Sequence, residues 1–306
     1  MSNPTEESIS VPNPSKTAIP VTLTSPPKGV KHSGFGIILG PGAGGDEKTP
    51  LLNALATEIA KQGHFCARYR LTVPNLPFRV SGCRRVMDHL FHPKTGLHPL
   101  QGCFLGGHSM GSRVAGTLAH QISRGESKAP AAKKSTAKGK KSAASASASS
   151  EDTSPTASSD YSPDFIPGLV LLSYPLHTAD NTKSLRDQIL YDIPARTSTL
   201  FISGLKDTMC QPKIFEKVFK DMKSSPREVV QVQDADHGLG YGTSKPAKAK
   251  KESLTTSIQE WVVAFMDDTI AGLEDRKDGA KAVVTHKKAT LKQAGDEWTF
   301  VVSSVA

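Results

Sequence analysis

The sequence predicts an α/β fold built on a doubly wound, mainly parallel sheet. Three observations predict it. Short apolar runs of strand length alternate with segments of helical spacing. One of these runs passes through a sharp, glycine-flanked turn straight into a helix. Polar residues able to do chemistry recur just past the ends of apolar runs, the edge on which open α/β sheets bind ligands.

Taken in order, residues 1 to about 30 are rich in Ser, Thr and Pro and read as a disordered, flexible tail. They contain no apolar core of the kind a secretory signal needs. The ordered domain is expected over residues 31–270. GFGIIL (34–39) is a buried-strand candidate, closed by the glycine-rich loop Pro41-Gly42-Ala43-Gly44-Gly45. TPLLNALATEIAKQ (49–62) has amphipathic helical spacing, with Pro50 in its first turn and Gly63 at its end. HFCARYRL (64–71) reads as a strand and residues 81–91 as a helix. CFLGG (103–107) reads as a strand and SRVAGTLAHQIS (112–123) as a helix. Strands follow at GLVLLSY (168–174), TLFIS (199–203) and EVVQV (228–232), with helices over 212–222 and 254–270.

Residues 124–164 interrupt this pattern with Ser, Ala, Lys, Thr and Pro. They lack the apolar groups that would offset ordering entropy, so a disordered insertion is expected. Loop closure tolerates such an insertion at small cost. Residues 271–306 alternate charge, Gly and short apolar groups, and read as a flexible extension or a hairpin.

Composition sets the limits on function. The net charge of +9 would suit a nucleic-acid binder if it lay on a folded face. Much of the excess instead sits in the insertion, at Lys133, Lys134, Lys138, Lys140 and Lys141. That tract reads first as a solvated linker, and second as a weak contact for nucleic acid or acidic proteins. The four cysteines are scattered, with no metal or redox spacing, which suggests small buried hydrophobes in a reducing compartment. No apolar run approaches the roughly 20 residues of a membrane span. A cytoplasmic or nuclear location is the expectation. His92 and His98 flank a Pro/Gly loop without further ligands, and read as surface histidines. The Gly-rich loop has neither the Gly-Lys-Ser/Thr nor the G-x-G-x-x-G frame, so no nucleotide cofactor is expected; nor is a metal.

The chemistry is concentrated in Gly107-His108-Ser109-Met110-Gly111. A serine between a buried strand and a helix sits on a strained elbow that lifts its hydroxyl above the sheet. The Met110 amide at the helix start would then face a developing oxyanion, aided by the helix dipole. The Ala43 amide, in the loop after the first core strand, is placed to be the second donor. A serine hydroxyl needs a base, and the base an orienting group. Asp207 follows TLFIS and His237 follows EVVQV, in the chain order Ser, Asp, His. Asp234 and Asp236 share the loop of His237, which makes them poorer orienters. Each of the three also has a plainer reading as a turn residue.

Five segments, GPGAGGDEKTPLLNALA, CFLGGHSMGSRVAG, GLVLLSYPLH, LFISGLKDTMC and DADHG, resemble the testis-expressed-protein and NSL-complex-subunit-3-like branch of α/β hydrolases. That branch is allied to the dienelactone hydrolases. The resemblance implies an α/β-hydrolase fold without a large cap domain, and a triad of Ser109, Asp207 and His237. One departure is Pro41-Gly42 where the branch usually has His-Gly. The expected activity is therefore a serine hydrolase acting on a small carboxylic ester or thioester through an acyl-enzyme, without cofactor. The rival reading is a non-catalytic scaffold of the same fold, since some members of the branch are chromatin-complex subunits. A peptidase ranks last, because nothing in the sequence builds a site for a substrate amine.

Overall fold

The computed structural model describes residues 2–14, 17–126, 161–162, 164–273, 284–294 and 297–304. Ten strands form one sheet: β1 (Thr5–Val11), β2 (Ile19–Ser25), β3 (Phe35–Gly40), β4 (Phe65–Tyr69), β5 (Gly102–His108), β6 (Gly168–Leu172), β7 (Ser198–Gly204), β8 (Arg227–Val232), β9 (Val284–Ala294) and β10 (Glu297–Ser304). Their order is β1-β2-β4-β3-β5-β6-β7-β8-β9-β10. Pairing from β4 through β9 is parallel; β1·β2 and β2·β4 at one end of the sheet and β9·β10 at the other are antiparallel. The helices are α1 (Pro50–Lys61), α2 (Leu76–Phe91), α3 (Met110–Ser123), α4 (Gln188–Tyr191), α5 (Pro212–Asp221) and α6 (Lys245–Ala271).

The central strands are buried on both faces because helices cover both. Side chains alternate across the pleat. Ile37 and Leu39 of β3 face a core with Leu52, Leu55 and Ile59 of α1 and Ile258 and Val262 of α6. Ile38 faces the opposite core with Val86 of α2, Leu118 of α3 and Phe215 of α5. The helices begin where the sequence can cap them. Asn75 accepts the Phe78 amide at the head of α2, so that helix starts five residues before the expected 81. Ser244 likewise accepts the Ala247 amide, which extends α6 to 27 residues.

The amino-terminal expectation is overturned. Residues 1–30 are not a flexible tail but carry β1 and β2, which extend the sheet beyond β4. Ile19, Val21 and Leu23 alternate into the core, where Val11 joins them. Pro20 is tolerated because it stands at the start of β2, before the pairing with β4 begins at Val21. The buried Arg68 guanidinium completes the tie. It donates to the Glu47 carbonyl at 2.9 Å and the Thr24 hydroxyl at 3.3 Å, and also contacts Asn53 and the Glu6 carboxylate. One side chain thereby links β1, β2, β4 and α1.

The carboxyl-terminal extension is also ordered over its described residues. β9 pairs with β8, Ala289 is fully buried, and Phe300 meets Trp261 of α6 edge-on at 6.1 Å. Of the insertion 124–164, residues 127–160 and 163 lie outside the described residues. Tyr161 does not belong to a disordered stretch: it is buried, packs against Phe165 in a tilted ring pair with centroids 4.6 Å apart, and hydrogen-bonds Asp88. Among the described residues, only the short α4 lies between β6 and β7, and no helix is long and apolar enough to cross a membrane.

Leu23→Ala discriminates a core strand from a tail. Its side chain is fully buried, so the variant should lose about 2–5 kcal/mol of stability in urea unfolding. A loose tail would show no change.

Candidate active site

Ser109 stands between β5 and α3 with φ 53° and ψ −109°, a backbone region that costs a non-glycine residue about 1–3 kcal/mol. Its surroundings hold it there. Its amide donates to the Leu172 carbonyl at the end of β6 at 2.9 Å, and the Ser112 hydroxyl donates to its carbonyl at 2.6 Å. The flanking glycines are obligatory. A Cβ on Gly107 would lie 2.1 Å, and one on Gly111 2.0 Å, from the Gly40 carbonyl oxygen at the end of β3.

Asp207 follows β7 and is 3% exposed. Its Oδ1 accepts the Met209 amide at 2.7 Å, which aims Oδ2 at His237. The His237 loop follows β8 and crosses so close to β7 that a Cβ on Gly204 would sit 2.1 Å from the Ala235 carbonyl. His237 Nδ1 lies 2.8 Å from Asp207 Oδ2, and its Nε2 lies 2.9 Å from Ser109 Oγ. With a carboxylate opposite Nδ1, the neutral ring carries its proton on Nδ1, and Nε2 offers a lone pair to the serine hydroxyl. The three predicted side chains, from three different strand ends, thus form one hydrogen-bonded chain. Neighbouring acids have other work. Asp236 Oδ1 accepts the Gly238 and Gly240 amides at 2.8 and 2.9 Å and shapes the loop. Asp234 pairs with Lys206 at 2.8 Å on the surface.

Of the two predicted amide donors, Met110 lies at the elbow and Ala43 lies in the loop beside it. Met110 is the first residue of α3, where an amide has no carbonyl one turn back. Gly42, beside Ala43, lies against it: a Cβ there would be 3.2 Å from His108 Nδ1 and 3.7 Å from Ser109 Cβ. Ala43 is exposed, and its amide has no hydrogen-bond acceptor among the described residues.

Three residues given no role in the site by their sequence context prove to support it. His108 Nε2 donates to the His237 carbonyl at 2.8 Å, and burial pushes its pKa below the ordinary 6.5. Buried His177 donates from Nδ1 to the Thr178 carbonyl at 2.9 Å and accepts the Gln211 amide on Nε2 at 3.1 Å. It fastens the Asp207 loop to the segment after β6. Arg79 of α2 binds the carbonyls of the Gly-rich loop. None of these carries a sequence signal of its own, because each acts on backbone atoms distant in the chain. His92, expected at the surface, is instead buried and accepts the Lys94 and Thr95 amides, each at 3.2 Å. Among the described residues, no group of three or more His, Cys, Asp or Glu could hold a metal ion.

Residues 139–267 match the model of the alpha/beta hydrolase domain, a span that includes Asp207 and His237 but not Ser109. Among solved structures, the chain superimposes on Est1E from Butyrivibrio proteoclasticus with a TM-score of 0.57 at 12% identity, covering 86% of this chain and 99% of that one. A dienelactone hydrolase from Anabaena variabilis gives a TM-score of 0.52 at 15% identity, covering 85% and 97%. A lidless α/β serine hydrolase from Xanthomonas campestris gives 0.51 at 13%, covering 84% and 94%. The chain has the α/β-hydrolase fold. Within this fold, the elbow, the acid and base loops and the Gly-rich loop all lie at the carboxyl edge of the parallel strands.

Two outcomes test the local architecture. Gly111→Ala should cost about 3 kcal/mol in thermal unfolding, the upper end for an overpacked methyl, because backbone rather than a movable side chain blocks it. For His108, the folded pKa lies below the unfolded one. Above about pH 6.5 neither state is protonated and the group contributes nothing. As pH falls through that value the unfolded state takes up the proton first, and the folded state loses stability. Melting curves between about pH 8 and about pH 5 should therefore show a steeper acid loss in wild type than in His108→Gln.

Proposed function

We propose that this chain is a serine hydrolase that cleaves a small carboxylic ester or thioester through an acyl-enzyme. The observation that carries the proposal is the unbroken chain Ser109 Oγ, His237 Nε2, His237 Nδ1, Asp207 Oδ2, with steps of 2.9 and 2.8 Å across the ring. A scaffold has no physical need to hold these groups in line on a strained elbow.

In this reading Ser109 Oγ attacks the acyl carbon while His237 Nε2 takes its proton. Asp207 keeps the ring in the productive tautomer and stabilises the imidazolium. The Met110 and Ala43 amides receive the negative charge that develops on the carbonyl oxygen. Collapse expels the alcohol or thiol, which leaves with the proton from His237. Water then attacks the acyl-serine, with His237 again the base, and releases the acid. No metal or cofactor enters the balance. Est1E, the dienelactone hydrolase and a curacin-pathway thioesterase domain (TM-score 0.51, 11% identity) share the fold, which supports ester and thioester substrates alike. The GGHSMGSR and SYPLH strings further support placement in the testis-expressed and NSL-subunit branch. Four free, buried cysteines fit a reducing compartment.

The test is labelling with a fluorophosphonate. Wild type should label, and Ser109→Ala and His237→Ala should not, at unchanged melting temperature. Asp207→Asn should lower kcat by roughly 10⁴, since the wrong histidine tautomer then faces the serine. A folded wild type that does not label overturns the proposal.

A further inference from the structure

Arg79 lies on α2, away from the elbow in sequence, and is 1% exposed. Among the described residues its guanidinium has no carboxylate partner. It donates only to carbonyls: Val73 from Nε at 2.9 Å, Pro41 and Gly42 from Nη1 at 3.3 and 3.0 Å, and Ala43 from Nη2 at 2.9 Å. Three successive carbonyls of the Gly-rich loop therefore converge on one buried cation.

The planarity of the peptide bond gives this a consequence. In a trans peptide the C=O and the next residue's N–H point in opposite directions. With the Pro41, Gly42 and Ala43 carbonyls turned toward Arg79, the Gly42, Ala43 and Gly44 amides are turned away from it. The loop abuts the elbow through Gly42, beside His108 and the Ser109 Cβ. Successive amides on one side of a loop form a concavity for an anion. The loop cannot hold this shape alone, because its one internal backbone hydrogen bond, Gly45 N–H to the Gly42 carbonyl, is long at 3.2 Å. Glycine here is free to rotate its peptide planes, so an external clamp is needed to hold three of them in register. A cation against the negative ends of three peptide dipoles also strengthens the positive ends that face the site.

We propose that Arg79 is the positioning residue of the oxyanion site: its guanidinium fixes the 41–43 carbonyls so that the opposite amides, Ala43 foremost, receive the charge formed on the substrate carbonyl. This inference rests on the serine-hydrolase reading. It assigns Arg79 no contact with substrate.

The experiment compares wild type, Arg79→Lys and Arg79→Ala on p-nitrophenyl butyrate, with fluorophosphonate labelling alongside. Lysine keeps the charge but loses the planar fork that reaches several carbonyls at once. We expect kcat of Arg79→Lys to fall roughly tenfold to hundredfold with KM within about twofold, the mark of lost transition-state stabilisation rather than lost binding. Ethylguanidinium ion should restore part of the activity of Arg79→Ala, and ethylammonium should restore less. Should Arg79→Ala not fold, the kcat and KM of Arg79→Lys decide alone. A folded Arg79→Lys with wild-type kcat, or one in which KM alone changes, overturns the inference while wild-type labelling leaves the hydrolase reading standing. A wild type that neither labels nor hydrolyses the ester overturns both.

Discussion

The carbonyl of Gly40 at the end of β3 is pressed against the elbow from the side. It leaves no room for a side chain at either 107 or 111. That contact lets β5 turn into α3 within one residue, and the sharp turn pushes Ser109 into a left-handed conformation. The turn is affordable only because both flanking positions are glycine and because β6 accepts the Ser109 amide. The same approach brings the loop after Gly40 alongside the serine, so one steric constraint places both the nucleophile candidate and the amides that would face it.

The acid and base loops obey a similar rule. The Ala235 carbonyl lies where a side chain at Gly204 would begin, so the loops after β7 and β8 are interleaved before any side chain interacts. The side chains then lock that arrangement. Asp207 spends one oxygen on Met209 and the other on His237, while His177 ties the Asp207 loop to the neighbouring segment and His108 ties the His237 loop to the elbow. Apart from the Asp207–His237 bond itself, these bonds end on backbone groups, which explains how a site assembled from loops stays in line.

The central strands and most helices were legible, because a strand buried on both faces must be a short apolar run and a helix must repeat near every fourth residue. The elbow and the order Ser109, Asp207, His237 were legible for the same local reason. The amino terminus was not, although Ile19, Val21 and Leu23 alternate as a half-buried strand does. Ser, Thr and Pro dominated the composition, and the partner that makes Glu6 useful, Arg68, is 62 residues away. The sequence of β9 and β10 reads equally as a flexible extension or a hairpin, because these strands at the end of the sheet carry many polar residues.

What the sequence determined by itself was the periodicity of its elements and the identity of the residues that could do chemistry at their ends. Both are local properties, set by backbone sterics and side-chain functional groups over a few residues. The tertiary structure decided which acid faces His237, where Arg68, Arg79, His108 and His177 spend their donors, and that the chain's first strands complete the sheet. Those outcomes depend on distances between segments far apart in the chain, and hydrogen bonds to backbone carbonyls leave no residue pattern from which to read them.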